Sequence, residues 1–344
     1  MRVAIIGGGL AGCACAYVLK RAGMEPVIYE ASDALASGAS GNAVGLYNPR
    51  FAAQLDANAQ FYSAAFFEAL AVFEAVGAEI GWDSCGALHL ITDEKKARRF
   101  SKMLECWGWD SADMQLLGAS EASGVAGIEI AQDALYLPRS GTVSPKKICE
   151  VYARGVDVHF GEAITNPAVL RADSIILACG MGVRAFDACK DLPLRSVRGQ
   201  VSYISVSDRS AALRCTLGYG GYIAPAKAGV HCLGSTFQPW LNHDEIIAQD
   251  DLDNLARLFE AVPSLAGDYE VVDRRAGVRC ASKDHFPVIG QVGENMYVST
   301  AHGSHGILSS LMGAMVICDL ITGRNNNELR DFLKVLSPAR FTGC

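Results

Sequence analysis

A chain of 344 residues exceeds what one hydrophobic core usually supports, and a composition half hydrophobic with 35 glycines reads as a well-buried two-lobed α/β protein rich in tight turns. The net charge of −7 excludes a surface that advertises nucleic-acid binding as a whole, so any such partner would need a local basic patch. Twelve scattered cysteines form no C-x-x-C pair and no apolar stretch runs to about eighteen residues, so no metal or redox motif and no membrane span is expected.

The first strand, over 3–6, is not preceded by a basic segment or cleavage site, which points to a cytoplasmic protein with reduced thiols. It leads into Gly7-x-Gly9-x-x-Gly12, a small-residue helix from 11 to about 22, and a second strand over 26–29 that ends on Glu30. Gly7 permits the tight turn, Gly9 lets the backbone approach a pyrophosphate, and Gly12 lets the helix pack on the sheet. The helix start, with Leu10 and Ala11, offers free N–H groups and a partial positive charge to that pyrophosphate. Glu30 sits where a carboxylate accepts from both ribose hydroxyls and disfavours a 2′-phosphate, which argues against NADP. Cys13 and Cys15, in the same helix, read as core.

Residues 38–49 form a glycine- and serine-rich loop closed by Pro49. It presents either backbone N–H groups and a hydroxyl to a second phosphate or ring edge, or simply a mobile surface. A helix over 61–76 carries Phe61, Phe66, Phe67 and Phe73 as a core stripe, and a strand follows over 82–92. Next, Lys95, Arg98, Arg99 and Lys102 repeat at i, i+3, i+4, i+7, one basic helix stripe that is a solvated face or a phosphate-backbone contact.

The apolar run 173–180 reads as a buried parallel strand returning to the first sheet. Segments 195–201, 219–225 and 230–235 are strands and turns without an intervening long helix, so this half of the second lobe is expected to be largely antiparallel, with a helix over 250–261 across it. After Arg274 and Arg275, which read as surface ion pairs, come Arg279 between Val278 and Cys280, a strand over 296–300, and the glycine-rich start of a buried helix over 307–321. That second helix start seeks an anion, as the reduced ring of a flavin would be.

Taken together, Gly7-x-Gly9-x-x-Gly12, Glu30, Gly38-Ala39-Ser40-Gly41-Asn42, Val197-Arg198-Gly199-Gln200, the stretch 277–285 and Leu336-Ser337-Pro338-Ala339-Arg340-Phe341 resemble the FAD-dependent half of the bacterial bifunctional tRNA 5-methylaminomethyl-2-thiouridine biosynthesis proteins. More broadly the chain is similar to the D-amino-acid oxidase and glycine oxidase superfamily. The resemblance implies a Rossmann-like FAD-binding domain (1–80, 136–196 and 275–344) interleaved with an α+β substrate domain on a mostly antiparallel sheet (81–135 and 197–274). Carried over by motif, Arg279 holds the substrate carboxylate with Tyr222 beside it. Ser40, Gly41, Asn42, Gly45 and Leu46, then Gly303, Ser304, His305, Gly306, Ile307 and Leu308, contact the flavin, with Ala178 and Gly180 near it.

The implied reaction is oxidation of the carboxymethylaminomethyl side chain of the wobble uridine of tRNA, releasing glyoxylate and leaving the aminomethyl nucleoside. FAD carries the difficult step, so no metal or nucleophile is required. The chain has no second strand-linked G-x-G-x-x-G for NAD(P)H. Because the sequence opens on the FAD strand, a separate methyltransferase is expected to act on the product. Two other readings stand: an oxidase of free glycine, sarcosine or a D-amino acid, and a non-catalytic flavin subunit that relays electrons.

Overall fold

The computed structural model describes residues 1–324 and 326–341; residues 325 and 342–344, the latter ending the expected FAD lobe, lie outside the described residues. The first sheet has six strands in the order Val288–Gly293, Met296–Thr300, Ser174–Leu177, Arg2–Ile6, Glu25–Glu30, Asp157–Phe160. Its neighbours are parallel except the first two. Parallel pairing needs long crossovers, and strands covered on both faces read as continuous apolar runs. Val3, Ile5 and Ile28 are fully buried accordingly. The returning strand is Ser174–Leu177, with Ile176 beside Ile5.

Helix Leu10–Arg21 buries Ala11, Gly12, Cys13, Ala14, Cys15 and Ala16. Those small side chains let it lie closely against helix Gly306–Thr322. Cys13 and Cys15 are core, as read. The aromatic stripe lies on helix Ala57–Ile80, longer than 61–76 because Asp56 accepts from the N–H groups of Asn58 and Ala59 and Gly81 ends the helix in the left-handed region. Phe61, Phe66 and Phe73 are fully buried and Phe67 packs at the edge. This helix is long and apolar enough by composition to cross a membrane, yet its aromatic face is spent on the core.

The second sheet has eight strands in the order Val271–Ser282, Leu194–Ser205, Val230–Gly234, Tyr222–Ile223, Thr216–Gly218, Ala87–Leu90, Ala134–Leu137, Gln115–Leu117. All its neighbours are antiparallel except Thr216–Gly218 with Ala87–Leu90. Its two twelve-residue strands, Leu194–Ser205 and Val271–Ser282, pair along nearly their whole length. The expected domain boundaries at 196/197 and 274/275 fall inside these strands, and that at 135/136 inside Ala134–Leu137.

Helix Ala248–Ala261 crosses this sheet through polar groups at its start. Arg198, with no solvent exposure, pairs with Asp250 and donates to Gln238 Oε1 at 2.5 Å and Gln200 Oε1 at 2.9 Å. Arg274 pairs with Asp251, so its ion-pair reading holds, although the acid is buried.

Candidate active site

A cavity of about 1000 Å³ runs between the sheets, from the turn at Gly7 to strand Ala87–Leu90. At its first end Gly7 has φ +112°, and a Cβ there would stand 2.7 Å from the Ala178 carbonyl oxygen. Only glycine suits both demands. A Cβ on Gly12 would run into the Gly7 carbonyl, so Gly12 supports the turn from behind. Gly9 is the N-cap of helix Leu10–Arg21 and contributes no side-chain cap, and the first turn holds no acid. The Leu10 N–H instead meets Ser40 Oγ at 3.0 Å, a neutral oxygen where an anion is favoured.

Glu30 accepts from the Gly8 N–H at 2.6 Å and the Ser32 N–H at 2.9 Å, one bond per carboxylate oxygen. Each oxygen retains a lone pair for a ribose hydroxyl on the cavity side. The 37–42 loop is fastened from across the fold. Arg275 donates to Asn42 Oδ1 at 3.1 Å, to the Ser37 carbonyl at 3.2 Å and to the Gly38 carbonyl at 2.5 Å. Tyr203 Oη accepts from the Ala43 N–H at 3.1 Å. The surface ion pair read for Arg275 is thus corrected: its partners are loop oxygens more than 230 positions away, beyond the reach of local pattern.

Helix Gly306–Thr322 points its start at the cavity, with neither a side-chain cap nor an acid in the first turn. Burial holds His302 and His305 down to about 4, so both imidazoles are neutral at pH 7. His302 is fixed by Ser309 Oγ at 2.9 Å and Ser299 Oγ at 3.1 Å. With both imidazoles neutral, the positive potential there comes from the helix backbone and from nearby Arg50. Cys179 and Cys280 border the same space; burial raises both thiols, Cys179 to about 12, so neither offers a thiolate nucleophile at neutral pH.

In mid-cavity stands Arg279, on strand Val271–Ser282 opposite Val197. Its Nη2 donates to Ser235 Oγ at 2.6 Å, while Nη1 is buried and has no partner among the described residues. Burial also lowers its pKa, as for any cation held from water. Tyr222 lines the cavity beside it and donates from Oη to the Val44 carbonyl at 3.3 Å. Burial pushes its phenol well above the ordinary value. An unpaired buried guanidinium is costly unless a ligand completes it.

Gly7, Gly9, Leu10, Ala11, Glu30, Ser40, Asn42, Gly45, Leu46, Ala178, Gly180, Tyr222, Arg279, Gly303, Ser304, His305, Gly306 and Ile307 therefore border one space. Gly12, Gly41 and Leu308 do not: Gly41 is packed against Arg275 and Ala36, and Leu308 is buried in the core. Sequence reading missed Ser235, whose role as the Arg279 partner leaves no local signal, and His89 and Lys96 on the far wall.

Residues 2–320 match the DAO family, described as FAD dependent oxidoreductase. The chain belongs to that family. The FAD-dependent oxidoreductase is 28% identical to the tRNA 5-methylaminomethyl-2-thiouridine biosynthesis bifunctional protein MnmC of Chromobacterium violaceum, over 98% of this chain and 59% of that protein. It is 30% identical to the MnmC of Idiomarina loihiensis, over 99% of this chain and again 59% of the other. The chain thus spans about 59% of the length of these relatives. Glycine oxidase from Bacillus cereus shares its fold, with a TM-score of 0.80 and 22% identity over 96% of this chain and 97% of that one.

For this oxidoreductase the residues present fit FAD. The Gly7 to Gly12 turn and the uncapped start of helix Leu10–Arg21 would hold the pyrophosphate. Glu30 would hold the ribose, and the start of helix Gly306–Thr322 would face the electron-rich edge of the ring.

Proposed function

We propose that this protein oxidises the carboxymethylaminomethyl group of wobble 5-carboxymethylaminomethyl-2-thiouridine in tRNA, releasing glyoxylate and leaving the aminomethyl nucleoside. Its class, an FAD-dependent oxidoreductase acting on a CH–NH bond, follows from the family; the substrate is our reading. The observation that carries it is the buried Nη1 of half-buried Arg279 on the cavity wall, without a partner among the described residues. A planar guanidinium grips a carboxylate through two parallel hydrogen bonds and stays charged when buried. Ser235 takes one edge of that guanidinium and fixes its plane, leaving the other for the substrate.

Arg279 would set the glycine methylene of the substrate in a fixed orientation, and positioning of this kind supplies much of the catalysis. Tyr222, with its proton retained and its hydroxyl turned to Val44, closes one side of the pocket without offering a negative charge that would compete for Arg279. When bound, FAD would supply the acceptor for the hydride that leaves that methylene. The substrate amine must be neutral to release it, and no carboxylate is ion-paired to Arg279 among the described residues to favour its ammonium form. Water then adds to the substrate imine, and cleavage of the carbon–nitrogen bond gives glyoxylate and the primary amine. Methyl transfer to that amine falls to a methyltransferase, and the whole sequence of steps takes place in the cytoplasm.

The glycine oxidase likeness supports a second reading, a free amino acid as substrate, because Arg279 would grip that carboxylate equally well. Anaerobic bleaching of the FAD-loaded protein separates the two. Bleaching by hypomodified tRNA and not by glycine or sarcosine is the expected result; bleaching by the free amino acids alone overturns it, and bleaching by neither favours an electron-relay subunit. Arg279→Met should cut kcat/KM by a factor on the order of 30 to several thousand, from the roughly 2–5 kcal/mol a buried charge pair contributes. The same variant should melt no lower than the wild type, since it removes an uncompensated buried charge.

A further inference from the structure

Three nitrogen-bearing side chains border the substrate end of the cavity, and no step above uses them: His89, Lys96 and Arg99. His89 lies on strand Ala87–Leu90; Lys96 and Arg99 lie on helix Glu94–Trp107, whose inward face continues through buried Phe100, Met103 and Trp107. The basic stripe read from sequence therefore divides. Lys95, Arg98 and Lys102 are exposed, whereas Arg99 turns inward beside Lys96.

His89 is 8% exposed, and its Nε2 is buried with no partner among the described residues. Arg99 Nε is likewise buried and unpartnered. Lys96 Nζ donates to Thr92 Oγ1 at 2.8 Å and to the Tyr219 carbonyl at 3.5 Å. Among the described residues neither Lys96 nor Arg99 forms an ion pair with a carboxylate. The neighbouring acid, Asp93, caps the helix by accepting the Lys96 N–H at 2.8 Å. Two cations facing one space repel each other, offset in part by the charge of nearby Asp93, and the neutral imidazole beside them lacks a partner among the described residues; an anion would satisfy all three. Half-buried Phe51 and exposed Phe237 also border the cavity and offer ring surface to a base.

We propose that His89, Lys96 and Arg99 form an oxyanion subsite for a phosphate of the substrate nucleotide, while Arg279 holds the carboxylate at the other end of the same molecule. This deepens the reading of the preceding subsection and rests on it. Two full charges plus a neutral imidazole suit a tetrahedral group with several oxygens, whereas a second carboxylate would need one cation. The subsite is a local basic patch within an acidic chain, and it sets a nucleotide-borne glycine apart from a free amino acid.

The test measures binding of uridine 5′-monophosphate, uridine and iminodiacetate to the FAD-loaded protein by calorimetry. The monophosphate should bind at least about tenfold more tightly than uridine, a difference of about 1.4 kcal/mol. Lys96→Gln/Arg99→Gln should erase that preference, with FAD content and melting temperature kept, and Lys96→Arg/Arg99→Lys should restore it. Equal or undetectable binding of the two uridine ligands, or a preference that survives the Gln pair, overturns the subsite. So does selective loss of iminodiacetate binding in the Gln pair, which would make it a second carboxylate site. A phosphate preference in a protein that tRNA fails to bleach would instead count against the proposed reaction and leave the subsite standing.

Discussion

Gly199 and Arg279 lie on adjacent strands, and the guanidinium extends across the glycine: a Cβ at 199 would collide with both terminal nitrogens. The absence of a side chain at one position thus makes room for the charge at the other. Gly199→Ala should push the guanidinium from its plane against Ser235 and raise KM for a carboxylate substrate about 5- to 150-fold, from the roughly 1–3 kcal/mol of overpacking. FAD content should stay unchanged, and steady-state kinetics beside the flavin absorbance check both. Arg279 itself could be singled out from sequence because it interrupts an apolar stretch, between Val278 and Cys280. Arg275 could not, since what distinguishes it is loop oxygens that only the fold brings near.

Single elements were legible where one physical signal dominates. The turn at Gly7, the small-residue helix behind it and the returning strand Ser174–Leu177 each follow from close packing or two-sided burial. Helix Glu94–Trp107 was harder to read, because two basic faces overlap in sequence and only burial of Phe100, Met103 and Trp107 shows which one turns inward. At the start of helix Gly306–Thr322, burial holds His302 and His305 to about 4 against an ordinary value of 6.5, and His89 across the cavity to about 3. Below pH 6.5 the unfolded chain takes up protons that the folded one refuses. Stability from these groups is therefore complete above pH 6.5 and is lost as pH falls from 6.5 towards 4. Melting temperature recorded across that window should drop, and His302→Asn with His305→Asn should flatten the slope; an unaltered slope would assign the acid sensitivity elsewhere.

At the scale of the molecule the class of fold could be read, and the proposed lobe borders at 196/197 and 274/275 fall within the strands Leu194–Ser205 and Val271–Ser282. Charge also acts at this scale. A net −7 weakens attraction to a polyanion, so the proposed tRNA binding would depend on local cations. Reversing exposed Lys95, Arg98 and Lys102 should weaken tRNA binding and make its salt dependence shallower, by about one in the logarithmic slope for each phosphate no longer neutralised, with nucleoside turnover unaffected. Titrations at several ionic strengths decide this, and unchanged slopes would make the stripe a solvated face.

Arg275 and Arg279 stand four residues apart on one strand, hence on the same side of it, one fastening the 37–42 loop and the other waiting for a carboxylate. A single strand would therefore carry both the proposed clasp on the coenzyme and the proposed grip on the acid, and we expect strain at either to be felt at the other. Coupling of this kind is reciprocal: an unreactive carboxylate such as acetate should slow escape of FAD from the wild type. Arg275→Ala should hasten that escape and abolish the acetate effect together, a change that the rate of flavin fluorescence recovery on dilution would reveal.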